Sequence, residues 1–237
     1  MISTPTIRQQ QNDFERFLLL VSAFTHDVDH PGNDNNWERK TNSEWAQNCK
    51  TNSIIETHSI EITKEMLEAE STNILSALPD GDQERFLKDF KDLVLWTDFA
   101  LHNDFVSLFD QNMKKNGKNF SEAGYSKIVN TALLKGADIG NLTKPFSVAK
   151  RWGYRVMQEN WAQGEREKAA NLPVGPLNDQ ATVEFHRAQA DFIDKAAMNF
   201  FKMLASIASE MEELVFDLEV NRNAYEISIN KQLKSVK

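Results

Sequence analysis

The segment that decides the fold reads FLLLVSAFTHDVDHPG and occupies residues 17–32. Its first half is an unbroken, mainly apolar run, which is typical of a buried helix. Its second half ends at a Pro-Gly pair that stops a helix, and it holds four metal-competent side chains within five positions. These side chains are His26, Asp27, Asp29 and His30. We therefore expect a helix that carries imidazole and carboxylate groups into the protein interior.

The chemistry of this segment favours a metal ion. A His-Asp pair that enters the interior is costly unless a cation or hydrogen bonds compensate it. Imidazole nitrogen and carboxylate oxygen suit zinc, manganese or iron, and magnesium accepts the oxygen. The segment therefore predicts a metal-assisted hydrolase that activates water and polarises a phosphoryl or carbonyl oxygen. The alternative is structural, because His26 and His30 share one helix face and such histidines are often core residues or caps.

Length and composition are those of one globular domain. The chain has 237 residues, of which 41% are hydrophobic and 26% charged, and this predicts a single domain over residues 1–237. Only nine Gly and six Pro favour long helices over a β fold with many turns. The net charge of −8 argues against a nucleic-acid polymer as partner, because such binding needs Lys and Arg to neutralise phosphates.

Cysteine content and hydropathy predict a soluble protein of the cytoplasm. Cys49 is the only cysteine, which indicates a reducing compartment without an internal disulfide. The longest apolar run, residues 17–24, is far shorter than the roughly 20 residues that a membrane span needs. The first eleven residues lack the basic and apolar regions of a signal peptide.

Hydrophobic periodicity predicts an all-α fold, since no stretch shows sustained strand alternation with hairpin turns. Residues 32–43 and 164–179 are predicted to be loops, and residues 114–124 a polar break, because turn-forming and polar residues dominate there. The second loop is long enough to be either functional or a flexible surface excursion. Apolar stripes at helical spacing predict helices near residues 14–30, 54–79, 86–113, 128–138, 152–161 and 182–221.

Five sequence blocks occur in an order that points to one family. The first, HDVDHPGNDN at residues 26–35, fits the pattern His-Asp-x-x-His-x-Gly-x-x-Asn. The other four are SIIETH at 53–58, WTDFALH at 96–102, ADIGNLTKP at 137–145 and QADFI at 189–193. Together they resemble the catalytic domain of the class I cyclic-nucleotide phosphodiesterases over about residues 14–215. That family belongs to the His-Asp (HD) metal-dependent phosphohydrolases, so the resemblance implies a multi-helix bundle of the HD-domain type.

The resemblance also implies a metal-dependent reaction. His26, Asp27 and Asp138 would hold a pair of divalent ions, Zn²⁺ and Mg²⁺ (or Mn²⁺). His30 would orient a metal ligand or a water, and Glu56 would hold a water at the metal site with its carboxylate ionised. The implied reaction is hydrolysis of a 3′,5′-cyclic nucleotide, cyclic AMP or cyclic GMP, to the 5′-monophosphate in signal transduction. The implied catalytic residues are Asp27, Glu56 and His30.

By the same resemblance, a second group of residues would recognise the nucleotide. Gln189 would read the purine, because an amide offers both a donor and an acceptor. Phe192 would stack on the base with Val156 opposite it, and Asn141 would line the pocket. Without the resemblance, Phe192 is better explained as core and Gln189 as a solvated helix face. The residues predicted to contact the nucleotide are Asp27, Asp138, Asn141, Val156, Gln189 and Phe192.

Departures from the family pattern keep two other functions open. The family carries a His-Asn-x-x-His motif upstream, and no His precedes His26, so we expect an N-terminally incomplete domain or a degenerate enzyme. Ser59 and Asp191 stand where the family has His and Gly. One alternative is a catalytically impaired homologue that binds a nucleotide or a protein. The other is a His-Asp phosphohydrolase of phosphomonoesters, against which Gln189 and Phe192 argue.

Overall fold

The structure is a computed structural model that describes residue 1, residues 3–117 and residues 124–235, with side chains up to residue 232. Backbone contacts divide the chain into two compact units, Met1–Asp138 and Ile139–Lys237. The described residues contain α-helices, short 3₁₀ turns and one π-helical segment but no strand, so the all-α prediction is confirmed. None of these helices has the length and apolar content needed to cross a bilayer.

The first unit is built from eight α-helices in its described part, and the second from four. Those of the first unit are α1 (Pro5–Gln10), α2 (Asp13–Thr25), α3 (Asn35–Thr41), α4 (Glu44–Asn48), α5 (Ile54–Glu68), α6 (Asp80–Leu95), α7 (His102–Asn116) and α8 (Tyr125–Asp138). Those of the second are α9 (Phe146–Ala169), α10 (Phe185–Phe192), α11 (Met198–Ile207) and α12 (Glu212–Ser235).

Helix α2 begins at a capping box. The Asn12 side chain accepts a hydrogen bond from the Glu15 backbone N–H, and the Glu15 carboxylate accepts one from the Asn12 backbone N–H. These two bonds satisfy donors that a helix start leaves open. After Thr25 the chain turns through His26 and reaches Asp29 at a φ of 59°, in the left-handed region where Asp is one of the tolerated residues.

The apolar run of α2 is buried along one stripe only. Leu18, Leu19 and Val21 lie in the core, whereas Phe24 is 86% exposed. The predicted buried helix is therefore buried along one face only, because a helix packed on one side buries only the residues that share that face. The expectation that imidazole and carboxylate both enter the interior fails for the carboxylate, since the Asp27 side chain is 59% exposed.

The core of the first unit positions α2 and α8. Helix α6 packs against α2, α5 and α8, and it contributes Phe86 and Phe90 as fully buried rings. The Phe86 ring lies 5.3 Å from that of Phe17 on α2, measured between centroids. Helix α8 buries Val129 and Leu133 along one side. Because α2 and α8 are in contact, their C-terminal ends can present side chains to one place.

The second unit is organised around α12, which contacts α10 and α11. A π-helical segment, Ile193–Ala197, joins α10 to α11, and α11 ends at Ile207, after which Ala208 is extended with a φ of −144°. The single long helix predicted over residues 182–221 is therefore interrupted. The Asn221 side chain on α12 donates 2.7 Å hydrogen bonds to the carbonyls of Leu142 and Lys144. These bonds anchor the 3₁₀ turn Gly140–Thr143.

The predicted loops are corrected in part. Helix α3 lies inside the first of them because Asp34 caps it by accepting a hydrogen bond from the Trp37 backbone N–H. Helix α9 continues to Ala169, so the second loop begins later than predicted. That loop is fastened to α9 through Glu167, whose carboxylate accepts from Gly175 and Asn178. Helix α7 runs three residues into the predicted polar break, of which residues 118–123 lie outside the described part.

Candidate active site

Three side chains of the first unit converge where α2 and α8 end. They are His26, Asp27 and Asp138, and one ligand atom from each lies within 4.8 Å of the other two. His26 Nε2 is 3.4 Å from an Asp27 carboxylate oxygen and 3.4 Å from an Asp138 carboxylate oxygen. Helix packing alone brings His26 and Asp138 together, since 112 positions separate them in the sequence. We call these three residues the donor cluster.

The backbone fixes the orientation of the His26 ring. Its Nδ1 atom lies 3.2 Å from the Ala23 carbonyl oxygen, one turn earlier on α2. With the Nδ1–H donating to that carbonyl, Nε2 faces the carboxylates, where it donates its proton to Asp138 and would offer its lone pair to a cation that displaces the proton. An imidazole that donates through one nitrogen and is free at the other has the arrangement found in most histidine metal ligands.

Excess negative charge characterises the donor cluster. Burial of the His26 imidazole opposes its protonation, but the hydrogen bond to Asp138 and the charges of both carboxylates raise its pKa to about 9. A site that holds a proton so strongly favours cations in general. One imidazole nitrogen and two carboxylates form a donor set that zinc, manganese or magnesium accepts. The exposed Asp27 leaves room for water ligands, so these residues fit a divalent ion.

Glu56 lies in the first turn of α5 and is held by Asn35. The Asn35 amide donates a 3.0 Å hydrogen bond to the Glu56 carboxylate and accepts a 2.9 Å bond from the Ile55 backbone N–H. Burial raises the pKa of Glu56 to about 7, against the effect of the Asn35 bond and with help from the charge of Asp98 and Asp27. Asn35 is thus a positioning residue that the sequence motif contained but that our predictions did not name.

His30 stands apart from the donor cluster. Its side chain is exposed, and its Nδ1 accepts a 3.1 Å hydrogen bond from the Gly32 backbone N–H. Among the described residues, the group with metal-ligand spacing contains His26 and the two aspartates but not His30. Its predicted role in orienting a ligand or a water stays a prediction.

Lys135 is a buried cation near the donor cluster that is absent from the residues predicted from sequence. It lies on α8 three residues before Asp138, and its ammonium donates a 2.6 Å hydrogen bond to the Trp96 carbonyl. Burial lowers its pKa to about 8, although the charges of Asp138, Asp98 and Glu56 act in the opposite direction. The signal that would have found it is a charged residue within the apolar side of a predicted helix.

The segment that follows His26 is fastened to α5. Ser59 donates a 2.9 Å hydrogen bond to the Val28 carbonyl, and His58 Nε2 lies 2.8 Å from an Asp29 carboxylate oxygen. The His58 ring is stacked on Trp45 of α4 at a centroid distance of 3.8 Å. Ser59, which replaces a family His, therefore supports the backbone of the first block.

The second unit holds the residues predicted to recognise the nucleotide. Gln189 of α10 is only 8% exposed, and it lies against α9 at Gly153, where an added Cβ would come within 2.5 Å of its amide oxygen. Val156 follows Gly153 by three positions and is exposed. Phe192 ends α10 and is half-buried, and Asn141 is half-buried in the turn Gly140–Thr143. Gln189 is therefore not the solvated residue that its sequence context alone favours.

Comparison with known proteins identifies the family. Residues 1–218 match the family model of the 3′5′-cyclic nucleotide phosphodiesterases. That match covers most of the 237 residues, so the chain belongs to this family. The resemblance inferred from the five blocks is confirmed.

The curated relatives are named as cyclic-AMP enzymes. The chain is 26% identical over 243 residues to the probable 3′,5′-cyclic-AMP phosphodiesterase pde-4 of Caenorhabditis elegans, covering 98% of this chain and 36% of that protein. It is 28% identical over 238 residues to 3′,5′-cyclic-AMP phosphodiesterase 4C of Mus musculus, covering 97% and 34%. The chain thus spans about a third of the length of these relatives.

A solved structure supports the fold assignment. The phosphodiesterase LmjPDEB1, determined in complex with IBMX, matches with a TM-score of 0.89 and 28% sequence identity. The match covers 94% of this chain and 68% of that chain. The predicted helical architecture of a phosphodiesterase catalytic domain is confirmed.

Proposed function

We propose that this chain hydrolyses a 3′,5′-cyclic nucleotide to the 5′-monophosphate. The observation that carries the proposal is the donor cluster, in which residues from two distant sequence blocks converge in a member of this family. In the reaction, water adds to phosphorus and the bond from phosphorus to the 3′ oxygen breaks. We further propose that residues 1–237 act as one catalytic domain.

The donor cluster is proposed to hold Zn²⁺ together with Mg²⁺ or Mn²⁺. His26 would supply its Nε2 lone pair, with the Ala23 carbonyl fixing the ring, and Asp27 and Asp138 would supply carboxylate oxygens. Ions bound there would lower the pKa of water and neutralise charge on the phosphoryl oxygens. The same two carboxylates now raise the pKa of His26, which supports a site built for positive charge.

Glu56 is proposed to position a water for the reaction. Its side chain is half-buried and the Asn35 amide holds the carboxylate at 3.0 Å, so its orientation is fixed before substrate arrives. Burial raises the pKa of Glu56 to about 7 without bound ions, and cations at the donor cluster would favour the ionised carboxylate that accepts a proton from water. The exposed imidazole of His30 is proposed to orient a further water or a ligand at the same site.

Gln189 and Phe192 are proposed to bind the purine, with Val156 on the opposite side and Asn141 lining the pocket. The amide of Gln189 can donate and accept, so it suits either adenine or guanine. Because the curated relatives are named for cyclic AMP, cyclic AMP is the first substrate to test, beside cyclic GMP. Hydrolysis of either nucleotide would give the chain a role in signal transduction. The single cysteine favours a reducing compartment, and we propose the cytoplasm.

The test is an assay of the purified chain with each cyclic nucleotide. After treatment with a chelator, the chain is reloaded with Zn²⁺ and Mg²⁺, or with Zn²⁺ and Mn²⁺, and bound metal is measured by mass spectrometry. We expect 5′-monophosphate only from the reloaded protein, and we expect Gln189→Ala to raise KM more than it lowers kcat. Absence of turnover from protein with verified bound metal would reject the proposal.

The second candidate is a catalytically impaired homologue that binds a nucleotide or a protein. It is favoured by a donor cluster of only three side chains among the described residues, and by Ser59, which bonds to the Val28 carbonyl instead of offering an imidazole. Calorimetry separates the two functions. Tight binding of cyclic AMP without turnover indicates the impaired homologue, and turnover indicates the enzyme.

A further inference from the structure

The second unit contains a cavity of about 810 Å³ that none of the residues predicted to bind nucleotide lines. It lies between the N-terminal half of α9, the start of α10 and the end of α12. Its volume falls in the range of roughly 300–1,000 Å³ that is usual for small-molecule sites. The lining residues that matter here are Lys150, Arg151, Tyr154, Arg155, Phe185 and His186.

Three cations on one side of α9 give the cavity its charge. In the described part of the chain, no carboxylate forms an ion pair with Lys150, Arg151 or Arg155. Other cations of this unit are paired, such as Lys195 with Asp191 at 2.8 Å and Arg222 with Asp194 at 3.0 Å. In a protein with a net charge of −8, three adjacent cations that lack a carboxylate partner among the described residues indicate a site for an anion.

The acidic residue of the cavity does not neutralise these cations. Glu184 caps α10, and its carboxylate accepts hydrogen bonds from the backbone N–H groups of His186 and Arg187. The same carboxylate lies 3.1 Å from His186 Nδ1. His186 Nε2 is buried and has no hydrogen-bond partner in the described structure.

Aromatic rings form another wall of the cavity. Tyr154 and Phe185 meet edge to face at a centroid distance of 5.7 Å, and Phe185 rests on Tyr225 at 6.0 Å. Tyr154 is 45% exposed, so its ring is available for stacking. Arg155 is held near the ring of Trp152 at 5.2 Å. Cations beside an aromatic wall suit a ligand that joins a phosphate to a flat ring.

We propose that this cavity binds an aromatic phosphate ester of nucleotide size, at a site separate from the proposed catalytic residues. Lys150, Arg151 and Arg155 hold the phosphate, and the ring lies against Tyr154 and Phe185. A polyanionic nucleic acid is disfavoured, because the net charge of −8 repels it while the cavity accommodates only a small molecule.

The proposal is tested by calorimetry with adenosine 5′-diphosphate in the presence of a chelator, which removes metal-dependent binding elsewhere. The double variant Arg151→Gln, Arg155→Gln is expected to weaken the affinity by about tenfold or more, because each lost arginine removes charge-assisted hydrogen bonds. The matched control Lys202→Gln, Lys231→Gln removes the same charge from exposed positions outside the cavity and is expected to retain the wild-type Kd. Equal Kd values for the two double variants would overturn the proposal, as would absence of binding to the wild type at millimolar concentration.

Two further titrations locate the ligand. Tyr154→Ala is expected to weaken adenosine diphosphate but to leave pyrophosphate unchanged, because pyrophosphate has no ring. Equal losses for both ligands would overturn the ring assignment. Gln189→Ala is expected to leave the adenosine diphosphate affinity unchanged. If Gln189→Ala abolishes binding while the arginine variants retain it, the nucleotide occupies the site of the proposed function and the cavity proposal fails, whatever the enzyme assay shows.

Discussion

The donor cluster of the first unit and the cavity of the second are both proposed to interact with a phosphate group, but their side chains carry opposite charge. The donor cluster has two carboxylates and one imidazole, and it needs a metal ion before it can attract an anion. The cavity has three cations that need no intermediary. A bound ion would invert the electrostatics of the donor cluster and make it attract the phosphate that its carboxylates repel. We therefore expect the net charge of −8 to disfavour a polyanionic partner more than a small phosphate ligand.

The largest expected effect breaks the donor cluster. Asp138→Asn removes the negative charge that α8 contributes to the donor cluster. Loss of a residue that merely hydrogen-bonds a metal ligand costs about 10–100-fold in metal affinity or activity, so loss of a ligand should cost more. We therefore expect metal affinity and hydrolysis of cyclic nucleotide to fall by more than about 100-fold. Binding of adenosine diphosphate in the cavity should not change. Mass spectrometry measures the bound metal, chromatography measures the product, and calorimetry measures the affinity for adenosine diphosphate.

The matched control for that variant is Asp110→Asn. Asp110 is an exposed residue of α7 that pairs with Lys114 one turn later, so its substitution removes equal charge outside the cluster. If both variants retain metal and activity, the donor cluster is not the metal site.

A smaller effect is expected at Lys135, a buried cation that bonds to a neutral carbonyl rather than to a carboxylate. Its pKa falls from 10.5 to about 8 in the folded state, so between those values the unfolded chain binds the proton and the folded chain does not. Stability from this group therefore rises with pH through that window, by at most about 3 kcal/mol. Urea unfolding from pH 7 to 10.5 should show this rise in the wild type and a flatter profile in Lys135→Met.

A comparison with His26 shows why the pKa of Lys135 falls. His26 also lies partly buried among carboxylates, but they approach within 3.4 Å, and its pKa rises to about 9 instead of falling. Direct contact thus outweighs burial for one cation, and burial prevails for the other. A difference between wild type and Lys135→Met that declines with pH would contradict the burial argument.

A change at Gly153 tests the recognition residues of the second unit. An added Cβ would lie 2.5 Å from the Gln189 amide oxygen, so Gly153→Ala must displace that side chain. We expect KM for the cyclic nucleotide to rise by about tenfold, the cost of one disturbed hydrogen-bonding group, with kcat less affected. Gly81→Ala on α6 is the control, since nothing lies within 4 Å of its added Cβ. Equal KM values in the two variants would remove Gln189 from substrate recognition.

The sequence predicted elements that depend on local pattern and missed those that depend on packing. The helices around His26 and Asp138 follow from apolar spacing, and the ordered motifs point to both residues. The burial of Lys135 and the contact of Gln189 with Gly153 could not be predicted, because each depends on which helices become neighbours. The break at Ala208 was missed as well, since the apolar stripe continues on both sides of it.

The smallest expected effect separates the stability of α2 from the geometry at its end. Asn12→Ala deletes the capping box, so we expect unfolding free energy to fall by about 1 kcal/mol. Metal affinity of the donor cluster should stay within about twofold, because His26 is held by the Ala23 carbonyl and by contact with α8 rather than by the first turn. Asn103→Ala, an exposed residue of α7, should change stability by about 0.5 kcal/mol or less. The affinity of the second-unit cavity for adenosine diphosphate should not change in either variant. A large loss of metal affinity in Asn12→Ala alone would show that the donor cluster depends on the start of α2.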